Sequence, residues 1–146
     1  MKITICASID FTYKIGKAAK ELQKMGRKVD IPLTAQKILD NKLTLKDFKK
    51  EKSKNGDGVF RKIQYDVIKR YYKIIQNADA VLVLNFDKND IKNYIGGNTF
   101  LEMGFAYVLN KPIYLLNPVP DMIYTDEIKA MQPKILNGDL GKIIKN

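Results

Sequence analysis

A continuous aliphatic run, Ala80-Val81-Leu82-Val83-Leu84, is the feature that most narrows what this chain can fold into. Five apolar residues without polar alternation fit a strand covered on both faces, the usual state of a strand inside a parallel sheet. The segments around it alternate strand and helix. Residues 2 to 8 read as a first strand. Tyr13 to Lys24 has helical spacing through Ile15, Ala18, Ala19 and Leu22, and Gly26 stands where a C-terminal cap belongs. Val29 to Leu33 is a short second strand closed by Pro32, and Thr34 to about Asn41 begins another helix. Lys46 to Gly58 is polar and basic, ends in Asn55-Gly56-Asp57-Gly58, and reads as a mobile loop or lid. Phe60 to Gln76 carries a broad apolar helical face. After the central run come a helix reaching about Asn110, a strand at Ile113 to Leu116, a short helix near Asp126 to Met131, a short strand at Lys134 to Leu136 and a last helix from Leu140.

This alternation implies a doubly wound α/β fold, a three-layer sandwich with a five-stranded parallel sheet. The flavodoxin-like order 2-1-3-4-5 is the natural arrangement, and it puts the topological switch point between the first and third strands. At 146 residues, the segment 1–146 is expected to form a single domain with a core of its own.

Composition removes several chemistries. The chain has no histidine, which excludes an imidazole base, a His-dependent triad and a His-ligated metal. One cysteine, Cys6, allows neither an intrachain disulfide nor a Cys-rich zinc site, and its place in the first strand suits a small buried hydrophobe. No cofactor and no metal are expected. The short apolar start is interrupted by Asp10, so it reads as a strand and not as a signal or a membrane span, and a cytoplasmic protein is expected. Lys and Arg number 26 against 16 acidic residues, a formal charge of +10 that favours anionic partners. Much of the excess lies in the middle third, where a solvated helical face accounts for most such runs.

A carboxylate stands out against this background. Gly96-Gly97-Asn98-Thr99-Phe100-Leu101-Glu102-Met103-Gly104-Phe105-Ala106 puts Glu102 in an apolar helix that follows the central strand and a glycine-rich turn. In open α/β sheets the ligand crevice lies beyond the carboxyl ends of the strands, and the N-terminus of a helix there favours anions. Thr99 and Glu102 also have the spacing of a capping box, which would give both a purely structural task. From the residues alone both readings stand.

Ala78-Asp79-Ala80-Val81-Leu82-Val83, Asn98-Thr99-Phe100-Leu101-Glu102-Met103-Gly104-Phe105-Ala106 and Lys111-Pro112-Ile113 follow one another in the order of a known signature. The arrangement resembles the nucleoside 2-deoxyribosyltransferase family and its relatives, the 2′-deoxynucleoside 5′-phosphate N-hydrolases, over about a third of the chain. In that family "A-D-x-V-x-V" precedes "G-T-x-x-E-x-G-x-A" and then "K-P-x". The opening Ile3-Thr4-Ile5-Cys6-Ala7-Ser8-Ile9 is similar to the family's first strand and loop. The resemblance implies cleavage or transfer at the N-glycosidic bond of a (deoxy)nucleoside or nucleoside 5′-monophosphate, with Glu102 as nucleophile. The loops after the first and third strands, which flank the switch point, carry Ser8, Asp10, Asn85 and Asp87 and would surround one crevice with the Glu102 helix, so that these residues, with Phe11, Gly97, Asn98 and Thr99, are the expected binding positions. The expected partner is a small-molecule nucleoside or nucleotide, rather than nucleic acid or a membrane. A homodimer is expected as well, through the apolar Met122-Ile123-Tyr124 loop.

The chain departs from the family pattern at three places. Tyr71 and Gly96 stand where aspartates are usual, and Asn98 replaces a glycine. Asp87, Asp90 and Tyr71 are the candidates for a replacement acid or positioning group, and Phe11, Tyr13 and Tyr94 are those for base stacking. These departures shift the expectation from transfer toward nucleotide hydrolysis. The alternatives are a non-catalytic nucleotide sensor of the same fold and an NAD-glycohydrolase.

Overall fold

The computed structural model describes residues 1–53 and 66–143. Its sheet has five strands, β1 (Lys2–Cys6), β2 (Lys28–Asp30), β3 (Ala80–Val83), β4 (Ile113–Leu115) and β5 (Lys134–Ile135), all parallel, in the order β2-β1-β3-β4-β5. The helices are α1 (Thr12–Lys24), α2 (Leu33–Leu39), α3 (Leu45–Ser53), α4 (Val67–Gln76), α5 (Gly97–Val108) and α6 (Thr125–Ala130), with 3-10 turns at Ile9–Phe11 and Leu140–Lys142. This is the doubly wound order expected from the sequence. None of the described helices is long and apolar enough to cross a membrane.

Alternation along each strand divides the core into two layers. Ile3, Ile5, Ala80, Leu82, Leu84, Tyr114 and Leu116 point to one face, where they meet Ile15, Ala18, Ala19 and Leu22 of α1. Cys6, Val81, Val83, Ile113 and Leu115 point to the other, against Tyr71 and Ile75 of α4, Met103 and Ala106 of α5 and Ile128 of α6. The strands therefore read as solid apolar runs, because both faces are covered. Each fully buried Ile or Leu contributes about 1.5–3 kcal/mol.

Several boundaries differ from the sequence reading, each for a local reason. The second strand covers Lys28–Asp30, not Val29 to Leu33: Pro32 has no N–H to give a ladder and instead sits at the N-cap of α2. Of the expected lid, residues 46 to 53 belong to helix α3, whose Asp47 amide is capped by the Thr44 hydroxyl at 3.0 Å, and residues 54 to 58 lie outside the described residues. The first part of the Phe60 to Gln76 helix, through residue 65, lies outside them too. The last helix is a single 3-10 turn as far as the described residues go. Helix α5 starts earlier than the capping-box reading requires. Gly96 is its N-cap, in extended backbone, and Thr99 is buried within the first turn, so Thr99 does not cap the helix toward Glu102. The buried Ile95 fixes the entry of the chain, and the Tyr94 ring lies where a side chain at position 96 would need to be, 3.3 Å from an added Cβ.

The carboxyl ends of β3 and β4 are joined by two asparagines. Asn85, fully buried, donates through Nδ2 to the carbonyls of Asn117 (3.0 Å) and Pro118 (2.9 Å) and accepts from the Asn117 amide (2.9 Å), while Asn117 Nδ2 donates to the Asn85 carbonyl (2.9 Å). Removing the amide leaves buried partners unsatisfied. Asn85→Ala is therefore expected to lower stability by about 2–4 kcal/mol, read as a lower urea midpoint with an unchanged slope. A midpoint equal to wild type would show that water replaces the clamp.

Candidate functional site

Glu102 lies in the second turn of α5, half-buried, on the wall of a narrow cleft between α4 and α5. Val67, Ile68 and Tyr71 line the cleft from α4, and Asn98, Leu101 and Phe105 join Glu102 from α5. Spacing explains the set: positions 98, 101, 102 and 105 share one helical face, as do 67, 68 and 71. A T-shaped contact of Tyr72 with Phe105, 5.3 Å between centroids, packs the two helices together beside it.

Tyr71 of this cleft reaches the end of β1. Cys6, the last residue of that strand, is fully buried, with the Glu102 carboxylate near enough to act on its thiol through charge. Burial first, and then the neighbouring carboxylate, push the Cys6 thiol well above its ordinary range, which keeps it protonated and able to donate. Tyr71 is also buried, and its hydroxyl donates to the Ile5 carbonyl at 2.5 Å. Burial, with Cys6 and Glu102 beside it, raises the phenol well above its usual value. Since Cys6 pairs with Val83 across the β1–β3 boundary, Glu102 stands at the switch point of the sheet.

A second group of predicted residues gathers in the loops after β1 and β3. Asp10 forms ion pairs with Lys49 of α3 and with Lys88, and Lys88 Nζ also donates to the Ser8 hydroxyl at 2.9 Å. Lys88 gets there through a tight hairpin: it exchanges both backbone hydrogen bonds with Ile91, and Asn89 and Asp90 between them take left-handed backbone angles, φ 53° and 59°. The Asp87 carboxylate accepts from the Asn93 amide at 2.9 Å and so holds the same loop.

The remaining predicted positions have packing partners. Phe11 is buried edge-on against Phe86, 5.4 Å between centroids, with Lys14 Nζ 4.0 Å from the Phe86 centroid. Asn85 is the interstrand clamp. Gly97, Asn98 and Thr99 form the first turn of α5, and of these Asn98 lines the Glu102 cleft. Tyr13 is exposed on α1, and Tyr94 lies under Lys88, 5.3 Å from its ring centroid. In the expected dimer loop Met122 and Tyr124 turn inward, Tyr124 stacking on Phe100 at 4.5 Å, so the free apolar surface shrinks to Ile123, 99% exposed.

Two residues that matter here were not among the expected site residues. Lys88 had a signal, the Asn89-Asp90 turn that folds it back. Cys6 had a fainter one: with Thr4 it gives β1 a polar face where Ile3 and Ile5 make the other face apolar. An open, polar depression between α2 and α3, lined by Asn41, Lys42, Thr44, Asp47, Lys50 and Glu51, contains none of these groups.

Asp10 gives the site a measurable electrostatic signature. Its burial acts to raise the carboxyl, but hydrogen bonds and charge from Lys49 and Lys88 outweigh burial and hold it below the ordinary 3.8. The folded value being the lower one, this contribution to stability is complete above the ordinary range and is lost as pH falls through the folded value. Asp10→Asn is expected to flatten the stability profile below about pH 4, measured by urea unfolding across acid pH. A variant with the wild-type acid limb would show the ion pairs to be open in solution.

Among known proteins, no family model matches this chain and no curated sequence matches it significantly.

Proposed function

We propose that this protein cleaves the N-glycosidic bond of a nucleoside 5′-monophosphate, with Glu102 as the nucleophile. The observation that carries the reading is the position of the carboxylate: at the sheet's switch point, on a cleft whose other walls are largely apolar side chains. Breaking this bond builds positive charge on the sugar's anomeric carbon and ring oxygen, and a carboxylate in poorly hydrated surroundings stabilises that charge more than one in water. Glu102 attacks the anomeric carbon, a C–O ester bond forms as the C–N bond breaks, and the base departs with the bonding electron pair and takes up a proton from solvent, which the later addition of water to the ester returns. Water then adds to the ester, releasing the sugar phosphate and the free carboxylate. Capture by a second base would make the same site a transferase.

Phosphorylated substrates are favoured by charge. The chain carries +10, and Asp10 neutralises only one of the two ammonium groups it touches, Lys49 of α3 and Lys88 of the loop after β3, which leaves this trio net positive. Glu102→Gln keeps the shape of the cleft and is expected to fold normally while base release falls at least about a thousandfold. Base release near the wild-type rate would remove Glu102 from the mechanism. A monophosphate is expected to be turned over faster than its nucleoside, with KM rising as salt rises from about 50 to 500 mM. Equal turnover of the uncharged nucleoside, without salt dependence, would favour the transferase instead.

One observation favours a second reading. The Tyr71 hydroxyl, which stands where an acid is usual, is committed to the Ile5 carbonyl, so it does not offer its proton to a leaving base. A nucleotide sensor needs no such proton; it would gain melting temperature with nucleotide by mass action while base release stayed blank. The resemblance behind this chemistry also suggests a homodimer, for which Ile123 offers a free apolar side chain.

A further inference from the structure

Lys88 is held more firmly than a lysine on a surface loop needs to be. The hairpin that turns at Asn89 and Asp90 fixes its backbone, and the Asp87 carboxylate holds the far side of the same loop through the Asn93 amide. Its ammonium group, only partly exposed, donates to the Ser8 hydroxyl at 2.9 Å and forms an ion pair with one oxygen of Asp10, while Lys49 of α3 takes the other oxygen. One carboxylate between two ammonium groups leaves a unit of positive charge, and two cations this close repel each other until a further anion joins them. Ser8 accepts from Lys88, and its own hydroxyl hydrogen has no acceptor among the described residues. The cluster also lies at the start of α5. Lys88 Nζ is 5.3 Å from the centroid of the Tyr94 ring, and that ring packs against Gly96, the N-cap of the helix. Glu102 follows six residues later, about 9 Å along the helix axis.

We infer that Lys88 and Ser8, with Lys49 beside them, bind the 5′-phosphate of the nucleotide, and that Asp10 holds the two ammonium groups side by side to receive it. The inference rests on the proposed reaction and names the residues that read its phosphate. A phosphate monoester carries a charge of about −1.5 to −2 at neutral pH and three acceptor oxygens. It therefore supplies the charge that the trio lacks, and an acceptor for the Ser8 hydrogen. Lysine serves such a group as a point charge and needs no fork geometry to do so. An uncharged nucleoside has no counterpart for these groups, so they separate a nucleotide from its nucleoside. The overall charge of the chain attracts any anion from a distance, whereas this cluster acts by contact. Replacing Lys88 must then cost more affinity than replacing another lysine of the same loop.

The test is an NMR titration with ribose 5-phosphate, 2-deoxyribose 5-phosphate, the two neutral sugars and inorganic phosphate, read on the amide signals of the loops after β1 and β3. At least one sugar phosphate is expected to shift these signals saturably, the neutral sugars to leave them in place, and inorganic phosphate to bind at least about tenfold more weakly than the better sugar phosphate. Lys88→Gln is expected to weaken that sugar phosphate at least about tenfold and Ser8→Ala about three- to tenfold. Lys92→Gln, which removes an exposed lysine of the same loop, is expected to change it less than about twofold. Lys88→Arg keeps the charge and is expected to recover most of the affinity. Equal losses in Lys88→Gln and Lys92→Gln would overturn the assignment in favour of the general charge of the chain, and so would the absence of saturable shifts in the wild type. Inorganic phosphate bound as tightly as the sugar phosphates would overturn it in favour of free phosphate. The measurement needs no turnover. A wild-type chain that releases no base yet binds a sugar phosphate through Lys88 removes the proposed reaction and supports the site, while base release that depends on Glu102 and not on Lys88 supports the reaction and overturns the site.

Discussion

The parallel pairing of β1 with β3 is the interaction on which the rest of the structure depends. β1 is bonded to β2 on one side and to β3 on the other, with Ile3 opposite both Val29 and Ala80. That central position requires both faces of the strand to be covered, which fixes α1 on one side and α4 with α5 on the other. It also determines where the chain leaves the sheet. The loops after β1 and β3 run in opposite senses across the sheet, and they bring Ser8, Asp10 and Lys88 together.

Two electrostatic environments are built within a few residues of the end of β1. Toward α4 and α5, the half-buried Glu102 carboxylate lies on a cleft lined largely by apolar side chains. In the loops, the Asp10 carboxylate lies between two ammonium groups at partial exposure, and screening by solvent keeps that arrangement weaker than its charges suggest. The first environment suits chemistry at a carbon that gains positive charge. The second suits reversible attraction of an anion. Their nearness follows from the chain: Cys6 is the last residue of β1, and two residues later the chain has left the strand, with Ser8 capping the 3-10 turn at Ile9–Phe11.

Most of the architecture was legible because its signal is periodic. The aliphatic run at Ala80–Leu84, the helical spacing from Ile15 to Leu22 and the alternation of elements lead directly to the observed strand order. Local boundaries were less legible, because several rules compete at one position. Thr99 and Glu102 have capping-box spacing, yet the burial of Ile95 and the close approach of Tyr94 to Gly96 start the helix a turn earlier. Leu45–Ser53 looks like a loop in composition, with six charged residues and a serine, but the Thr44 cap and the helix-forming tendency of Lys and Glu are enough. Of the candidate site, Glu102 was visible from its motif. Its nearness to Cys6 was not, because a lone cysteine in a strand is ordinarily just a small hydrophobe.

The spread of the sheet along the chain has a kinetic consequence. The Asp79 carboxylate accepts from the Lys2 amide, 77 residues away, and the adjoining β1–β3 ladder closes a loop of comparable length. During synthesis β1 emerges first but has only β2 to pair with until β3 leaves the ribosome, so its hydrophobic faces wait uncovered while the middle of the chain is made. Contacts at such separation slow folding and prolong the exposure of an unpaired strand edge. The thiol of Cys6 belongs to the layer that α4, α5 and α6 cover, all of them made after that interval begins, which makes its protection from a modifying reagent a clock for the completion of the fold.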